Sequence, residues 1–294
     1  MKRILMAAAA ALGLISGQAH AQGFSDTSVG VRDGWSISNP GAPSVAARDV
    51  NKIIVNVGHF DVWDYGTNFF NVDALFSNAN EPAYAIGNGN SGGGSTEFYA
   101  VYRAQLSPDK IFGINTKFGP ITAINFEIGG DAEAEDTQFA PDKKLLVAGP
   151  NFNIGLPAGF LNIGIHVSKE WNNNGYCASS CTVPGGAISF HATPEFEIVW
   201  FYGLKGLVGL PIDFKGFVNI VLPKGKTGFG GQTVTEVLAV PRLSLDVGTM
   251  LFNKPHKPDV YFQVELWENK FGNDHTKTSG SEEIAPEFGI EMHF

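Results

Sequence analysis

The chain has 294 residues, 36 of them glycine, and a formal net charge of −9 from 20 Lys and Arg against 29 Asp and Glu. So acidic a balance, without clustered Lys and Arg, excludes a nucleic-acid backbone as partner. No apolar run approaches the about 20 residues a membrane-crossing helix needs, so the mature chain is either soluble or crosses a membrane as a closed barrel, which satisfies its backbone groups internally.

In chain order, Lys2 and Arg3 precede an apolar run from Ile4 to Ile15 and then Ala19-His20-Ala21. This layout predicts a secretory signal peptide over residues 1–21, cut after Ala21, with residues 22–294 forming one all-β domain. Cleavage removes Lys2 and Arg3 and no acid, which makes the mature chain more acidic still.

Twelve stretches alternating with period 2 follow, at 24–33, 51–60, 65–76, 95–106, 121–131, 144–154, 160–171, 189–202, 211–222, 236–247, 258–269 and 283–294. In the seventh, Leu161, Ile163, Ile165 and Val167 oppose Asn162, Gly164, His166 and Ser168. The eighth sets Phe190, Pro194, Phe196, Ile198, Trp200 and Tyr202 against His191, Thr193, Glu195 and Glu197, and the eleventh sets Val260, Phe262, Val264 and Leu266 against Tyr261, Gln263, Glu265 and Trp267. A soluble β-sandwich alternates too, but here long connections at 34–50, 77–94, 132–143, 172–188, 223–235 and 270–282 take turns with mostly shorter ones. Long loops on one rim, short turns on the other and an even strand count predict a 12-stranded antiparallel transmembrane β-barrel. The connections 107–120 and 248–257 are longer than that rule prefers. Trp200, Tyr202, Phe98, Tyr102, Phe288 and Phe294 are placed to form aromatic girdles.

With the aliphatic face of each strand toward lipid, the opposite face turns Phe60, Tyr65, Phe69, Tyr99, Phe217, Tyr261 and Trp267 into the lumen. It also carries Asn71, Asp73, Glu97, Arg103, Glu127, Glu195, Glu197, Asp213, Lys215, Arg242, Asp246, Glu265, Glu287 and Glu291. The candidate solute contacts among these are Phe60, Tyr65, Phe69, Asn71, Asp73, Glu97, Tyr99, Arg103, Glu127, Glu195, Lys215, Phe217, Arg242, Tyr261 and Glu265. Rings beside carboxylates and a few cations suit a neutral, flat, polar solute, since stacking a base on an aromatic side chain contributes about 1–3 kcal/mol. The plainer reading is that charges inside a narrow barrel pair with one another.

The last strand, with Phe288, Ile290, Met292 and Phe294 opposite Glu287, Gly289, Glu291 and His293, resembles the closing strand of bacterial outer-membrane barrels. The stretch His59-Phe60-Asp61-Val62-Trp63-Asp64-Tyr65-Gly66-Thr67-Asn68-Phe69-Phe70-Asn71-Val72-Asp73 resembles the nucleoside-specific outer-membrane channel family, the Tsx-like porins, in its outer-envelope-protein branch. The resemblance continues in Glu97–Arg103, Lys169–Gly175, Phe214–Phe217 and Gly225–Gly231, and runs from about Phe24 to Phe294. It implies a monomeric twelve-stranded outer-membrane barrel passing nucleosides by diffusion, without cofactor or reaction. Tyr65, Phe69 and Tyr99 lie within its stretches and are the foremost candidates for base contact.

Other motifs carry blander readings beside sharper ones. Cys177 and Cys181, in a polar segment of an exported chain, suit a loop disulfide, with redox or metal binding as the minor reading. Gly87-Asn88-Gly89-Asn90-Ser91-Gly92 fits a G-x-G-x-x-G pattern without a helix to follow, and Gly225-Lys226-Thr227 lacks the leading glycine of a P-loop. The run Asp131 to Asp136 reads as a solvated acidic loop or, less simply, a divalent-cation site. His166 with Ser168, or His191 with Ser189, offer a base and a nucleophile for a barrel-embedded lipid enzyme, and both pairs lack an orienting third group. A closed structural or binding barrel shares every feature except flux.

Overall fold

The computed structural model describes residues 23–40, 49–81, 94–135, 142–173, 187–227 and 231–294. The expected signal peptide, the Cys177–Cys181 pair, the 87–92 glycine motif and Asp136 lie outside the described residues.

Among the described residues the chain forms thirteen strands in one antiparallel sheet: β1 (Ser25–Ile37), β2 (Val50–Trp63), β3 (Gly66–Ser77), β4 (Thr96–Leu106), β5 (Ile121–Glu135), β6 (Lys144–Leu156), β7 (Gly159–Asn173), β8 (Ala187–Ser189), β9 (Thr193–Gly203), β10 (Ile212–Val221), β11 (Glu236–Asp246), β12 (Asp259–Glu268) and β13 (Glu282–His293). Each strand pairs with its neighbour in sequence, except that β7 pairs with β9 while the three-residue β8 adds to the end of β7. The ring closes where β1 meets β13, from Ser28↔His293 to Gly34↔Glu287. The result is a closed twelve-stranded barrel with one short extra strand, as the alternation predicts.

Burial decides which solvent surrounds it. Outward residues such as Ile53, Leu146, Val167, Leu243, Phe262, Ile284 and Phe288 are exposed, while Glu127, Glu195, Glu287, Asn151 and His166 are buried. A soluble domain has the reverse arrangement. Among the described residues, Ile37, Val50 and Ala285 form a small cluster of buried apolar residues at the long-loop end. An apolar outside around a polar inside is that of a transmembrane barrel. Tyr102, Phe288 and Phe294 are exposed on the outer face, Phe288 at mid-strand and not at a rim, while Trp200, expected in a girdle, borders the interior cavity.

The over-long turns at 107–120 and 248–257 have a local cause. Each folds into a short helical segment, Pro108–Phe112 and Gly248–Phe252. Ser107 caps the first, its hydroxyl accepting from Lys110 N at 3.4 Å, with Pro108 at the first helical position and Gly113 in the left-handed conformation at the end.

Two expectations need correction. The eighth expected strand, 189–202, is broken at residues 190–192 into β8 and β9. The break changes the face of Phe190, which is 5% exposed beneath the Lys224 ammonium instead of meeting lipid. The acidic run after Asp131 is not a solvated loop, since β5 continues to Glu135 and turns Asp131, Glu133 and Glu135 into the barrel.

Candidate functional site: the barrel lumen

A cavity of about 1640 Å³ occupies the interior. Its lining runs from Asp26, Phe60 and His293 at the short-turn rim to Asn39, Phe271, Asn273 and Lys277 at the long-loop rim. The inner face of every barrel strand contributes, because successive side chains alternate across a strand.

One half of the wall carries a continuous polar ladder. Lys215 of β10 and Arg242 of β11 both reach Glu291 of β13, at 2.9 and 3.0 Å. Arg242 Nε donates to Gln263 Oε1 at 2.6 Å, and Gln263 Nε2 donates to Glu287 Oε2 at 2.5 Å. Arg32 of β1 joins Glu287 at 2.7 Å to Asp73 of β3 at 2.8 Å. Asn56 of the intervening β2 donates to Asp73 at 2.6 Å and to Asn71 Oδ1 at 2.6 Å. No member of this ladder has a buried polar atom without a partner.

The other half centres on Arg103 of β4, whose Nη1 donates to Asp131 Oδ1 at 2.7 Å and whose Nε donates to Glu197 Oε2 at 3.3 Å. Tyr99 OH donates to Asp131 at 3.0 Å, and Glu127 accepts from Asn151 at 2.7 Å and Gln105 at 3.0 Å. Here buried groups remain unsatisfied: Glu127 Oε1, Glu195 Oε2, Asn151 Oδ1 and both ring nitrogens of His166 make no hydrogen bond. The His166 ring has room only because position 164 is glycine, where a Cβ would lie 2.4 Å from it.

Toward the long-loop end, ammonium groups clamp neighbouring carboxylates. Lys52 meets Glu97 at 2.7 Å, Lys224 meets Glu170 at 2.5 Å, and Lys270 meets Glu283 at 2.8 Å. Burial opposes the charge on Lys270, beyond the end of β12, but Glu283 and then Glu265 outweigh it and hold its pKa above the ordinary lysine value. Toward the short-turn end the lining is aromatic. Phe60 and Phe69 sit side by side on β2 and β3, and Phe160 stacks on Phe201 across β7 and β9 at 6.1 Å. Phe60, Phe69 and Phe160 are 37–40% exposed inside the mouth, so flat apolar faces are available to a solute.

Of the fifteen candidate contacts, Phe60, Phe69, Asn71, Asp73, Glu97, Tyr99, Arg103, Glu127, Lys215, Phe217, Arg242 and Glu265 line the main cavity. Glu195 faces inward in the wall, lining a smaller recess beside Tyr99 and Asp131. Tyr261 faces inward but is covered, with Arg242 3.9 Å above its ring and Gly289 beneath it, where a Cβ would lie 2.4 Å away. Tyr65 is a correction: it occupies the two-residue turn between β2 and β3, packs edge-on to Trp63 at 5.5 Å and does not line the cavity. Arg32, Lys52, Phe160 and Phe201 belong to the site but are absent from the sequence-derived set. Their strand parity marks them, since Arg32 falls in phase with Gly30 and Gly34 against exposed Val29 and Val31.

Neither suggested catalytic pair is assembled. Ser168 Oγ donates to Thr193 O at 3.4 Å, and Ser189 accepts from Lys169.

In fold, the chain is similar to an outer-membrane channel from Pseudomonas putida F1, with a TM-score of 0.50 and 9% identity over 95% of this chain and 98% of that one. The KdgM porin aligns with a TM-score of 0.40 and 9% identity over 91% of this chain and 99% of that one. Outer membrane phospholipase A from Escherichia coli gives 0.46 and 9% identity over 92% and 98%. At such identities the likeness is one of fold. No protein-family model matches the sequence, and no curated protein matches it.

Proposed function

We propose that the protein is a monomeric outer-membrane channel for passive diffusion of small, flat, polar solutes, nucleosides foremost. The observation that carries this reading is the lumen itself, a cavity lined from one rim to the other by paired charges and by open aromatic faces at the short-turn mouth. A base stacks on Phe60, Phe69, Phe160 or Phe217, while ribose hydroxyls exchange water for Asn71, Tyr99 and the neighbouring carboxylates. Such contacts are individually weak, which lets a solute leave as readily as it enters. The wall holds more carboxylates than cations around Arg103, so nucleotides are repelled by like charge. No cofactor or reaction is part of this reading.

Swelling of liposomes containing the purified barrel, in adenosine, thymidine, glucose and AMP, tests it. Nucleosides are expected to enter fastest and AMP slowest. Faster entry of glucose or AMP than of either nucleoside would remove the cargo assignment and keep the channel.

A further inference from the structure

An apolar track crosses the polar lumen from one mouth to the other. At the short-turn mouth Phe160 of β7 stands opposite Phe201 of β9, the two rings stacked at 6.1 Å. Two residues earlier on the same face of β9, Val199 stands opposite Phe217 of β10, which in turn stands opposite Val240 of β11. Two residues before Val240, Leu238 stands opposite Trp267 of β12, and the Trp267 ring meets Phe271 edge-on at 5.0 Å at the long-loop mouth. All of these side chains line the cavity. Each step passes either to a directly paired residue or to the next inward position of one strand, so the track is continuous.

Apolar groups facing a wet interior forgo the free energy that burial would supply, and hydroxyl or amide side chains at the same positions would not. A contiguous apolar strip with polar margins is the mark of a binding groove.

The margins describe the rest of the ligand. On one side Lys215 stands opposite Phe201, with Arg242 beyond it, and Glu291 neutralises both. On the other side Glu197 is held by Arg103, whereas two amides stand open. Asn162 lies opposite Val199, and Asn219 lies opposite Leu238. Asn219 Oδ1 is buried without a partner, and the Asn162 side chain makes no hydrogen bond among the described residues. Open neutral amides beside charges that are already paired match hydroxyl groups and not a formal charge.

We propose that this track binds solutes that join an aryl group to an uncharged, hydroxyl-bearing group, the class of the aryl glycosides, with the ring on Val199, Phe217 and Val240 and the hydroxyls on Asn162 and Asn219. The proposal names a solute class for the lumen read above as a channel, and rests on that reading for passage but not for binding. Binding of phenyl and methyl β-D-glucoside to the mature protein in phosphatidylcholine nanodiscs, followed by tryptophan fluorescence, tests it, because Trp267 lies on the track. Phenyl glucoside is expected to saturate the change at a concentration at least tenfold below that of methyl glucoside. Val199→Thr, which keeps the side-chain shape, and Leu238→Asn should each raise the half-saturating concentration of phenyl glucoside threefold or more. Val218→Thr, the same exchange on the lipid-facing side of β10, should leave it unchanged. Heat-modifiable migration on gels reports folding of each variant, and Val199→Thr keeps the test open even where Leu238→Asn fails to fold. Absence of a saturable change, equal half-saturation by the two glucosides, or unaltered affinity in Val199→Thr would each overturn the proposal. A barrel that adenosine blocks but that binds both glucosides alike would remove the track and keep the channel; one that binds phenyl glucoside without conducting would do the reverse.

Discussion

The two halves of the inner wall are built from the same residue types and reach different states of satisfaction. Across β10 to β13 and on to β3, charges and amides interlock from Lys215 through Glu291, Arg242, Gln263, Glu287 and Arg32 to Asp73, with each buried polar atom partnered. Across β4 to β9, Arg103 faces Glu127, Asp131 and Glu197, and atoms of Glu127, Glu195, Asn151 and His166 make no hydrogen bond. A completed network rigidifies the strands that make it, while an incomplete one leaves buried polar groups that cost stability.

The largest expected effect lies in the completed half. Arg32→Ala leaves Asp73 and Glu287 buried without their cation and should cost about 3–5 kcal/mol, read from urea unfolding in lipid vesicles. A loss below about 1 kcal/mol would mean that the ladder is not structural. Next come the rings of the short-turn mouth. Phe69→Ala and Phe160→Ala should each weaken adenosine block of single-channel current by about 1–3 kcal/mol, with barrel stability nearly unchanged because both rings are partly exposed.

In the incomplete half, Glu195→Gln removes a buried carboxylate whose Oε2 has no partner, so stability should hold or rise by about 1 kcal/mol. A large loss would place Glu195 in a network like that of Arg32. The smallest expected effect is that of Tyr65→Ala, which should leave both solute block and stability within about 0.5 kcal/mol of the parent, since the ring lies in a turn outside the cavity.

These contrasts also mark how far the amino-acid pattern carries. Parity along a strand is a local property, so the twelve strands and the inward faces of Phe69, Asn71, Glu127 and Glu265 are legible from alternation alone. Where a strand breaks or ends, parity is reset. That is why Phe190 appears on the lipid face from its spacing to Phe196 and lies buried under Lys224 in the fold. It is also why Tyr65 looks like the first inward residue of β3 and belongs to the turn before it.

The extent of β5 is hidden for another reason. Asp131, Glu133 and Glu135 alternate with glycine and alanine instead of large apolar groups, so the usual strand signal fades while the strand continues. Arg32 illustrates the remaining gap. It pairs with Asp73 two strands away and with Glu287 across the seam, contacts set by how the sheet curls and closes.

The most direct test of the lumen as a solute path is the current through single molecules of the mature protein in a planar bilayer, recorded with adenosine or glucose added. Discrete openings that adenosine interrupts at concentrations where glucose does not are expected. A correctly folded barrel that carries no current, or one whose current adenosine leaves untouched while glucose blocks it, would contradict the role proposed for the aromatic mouth.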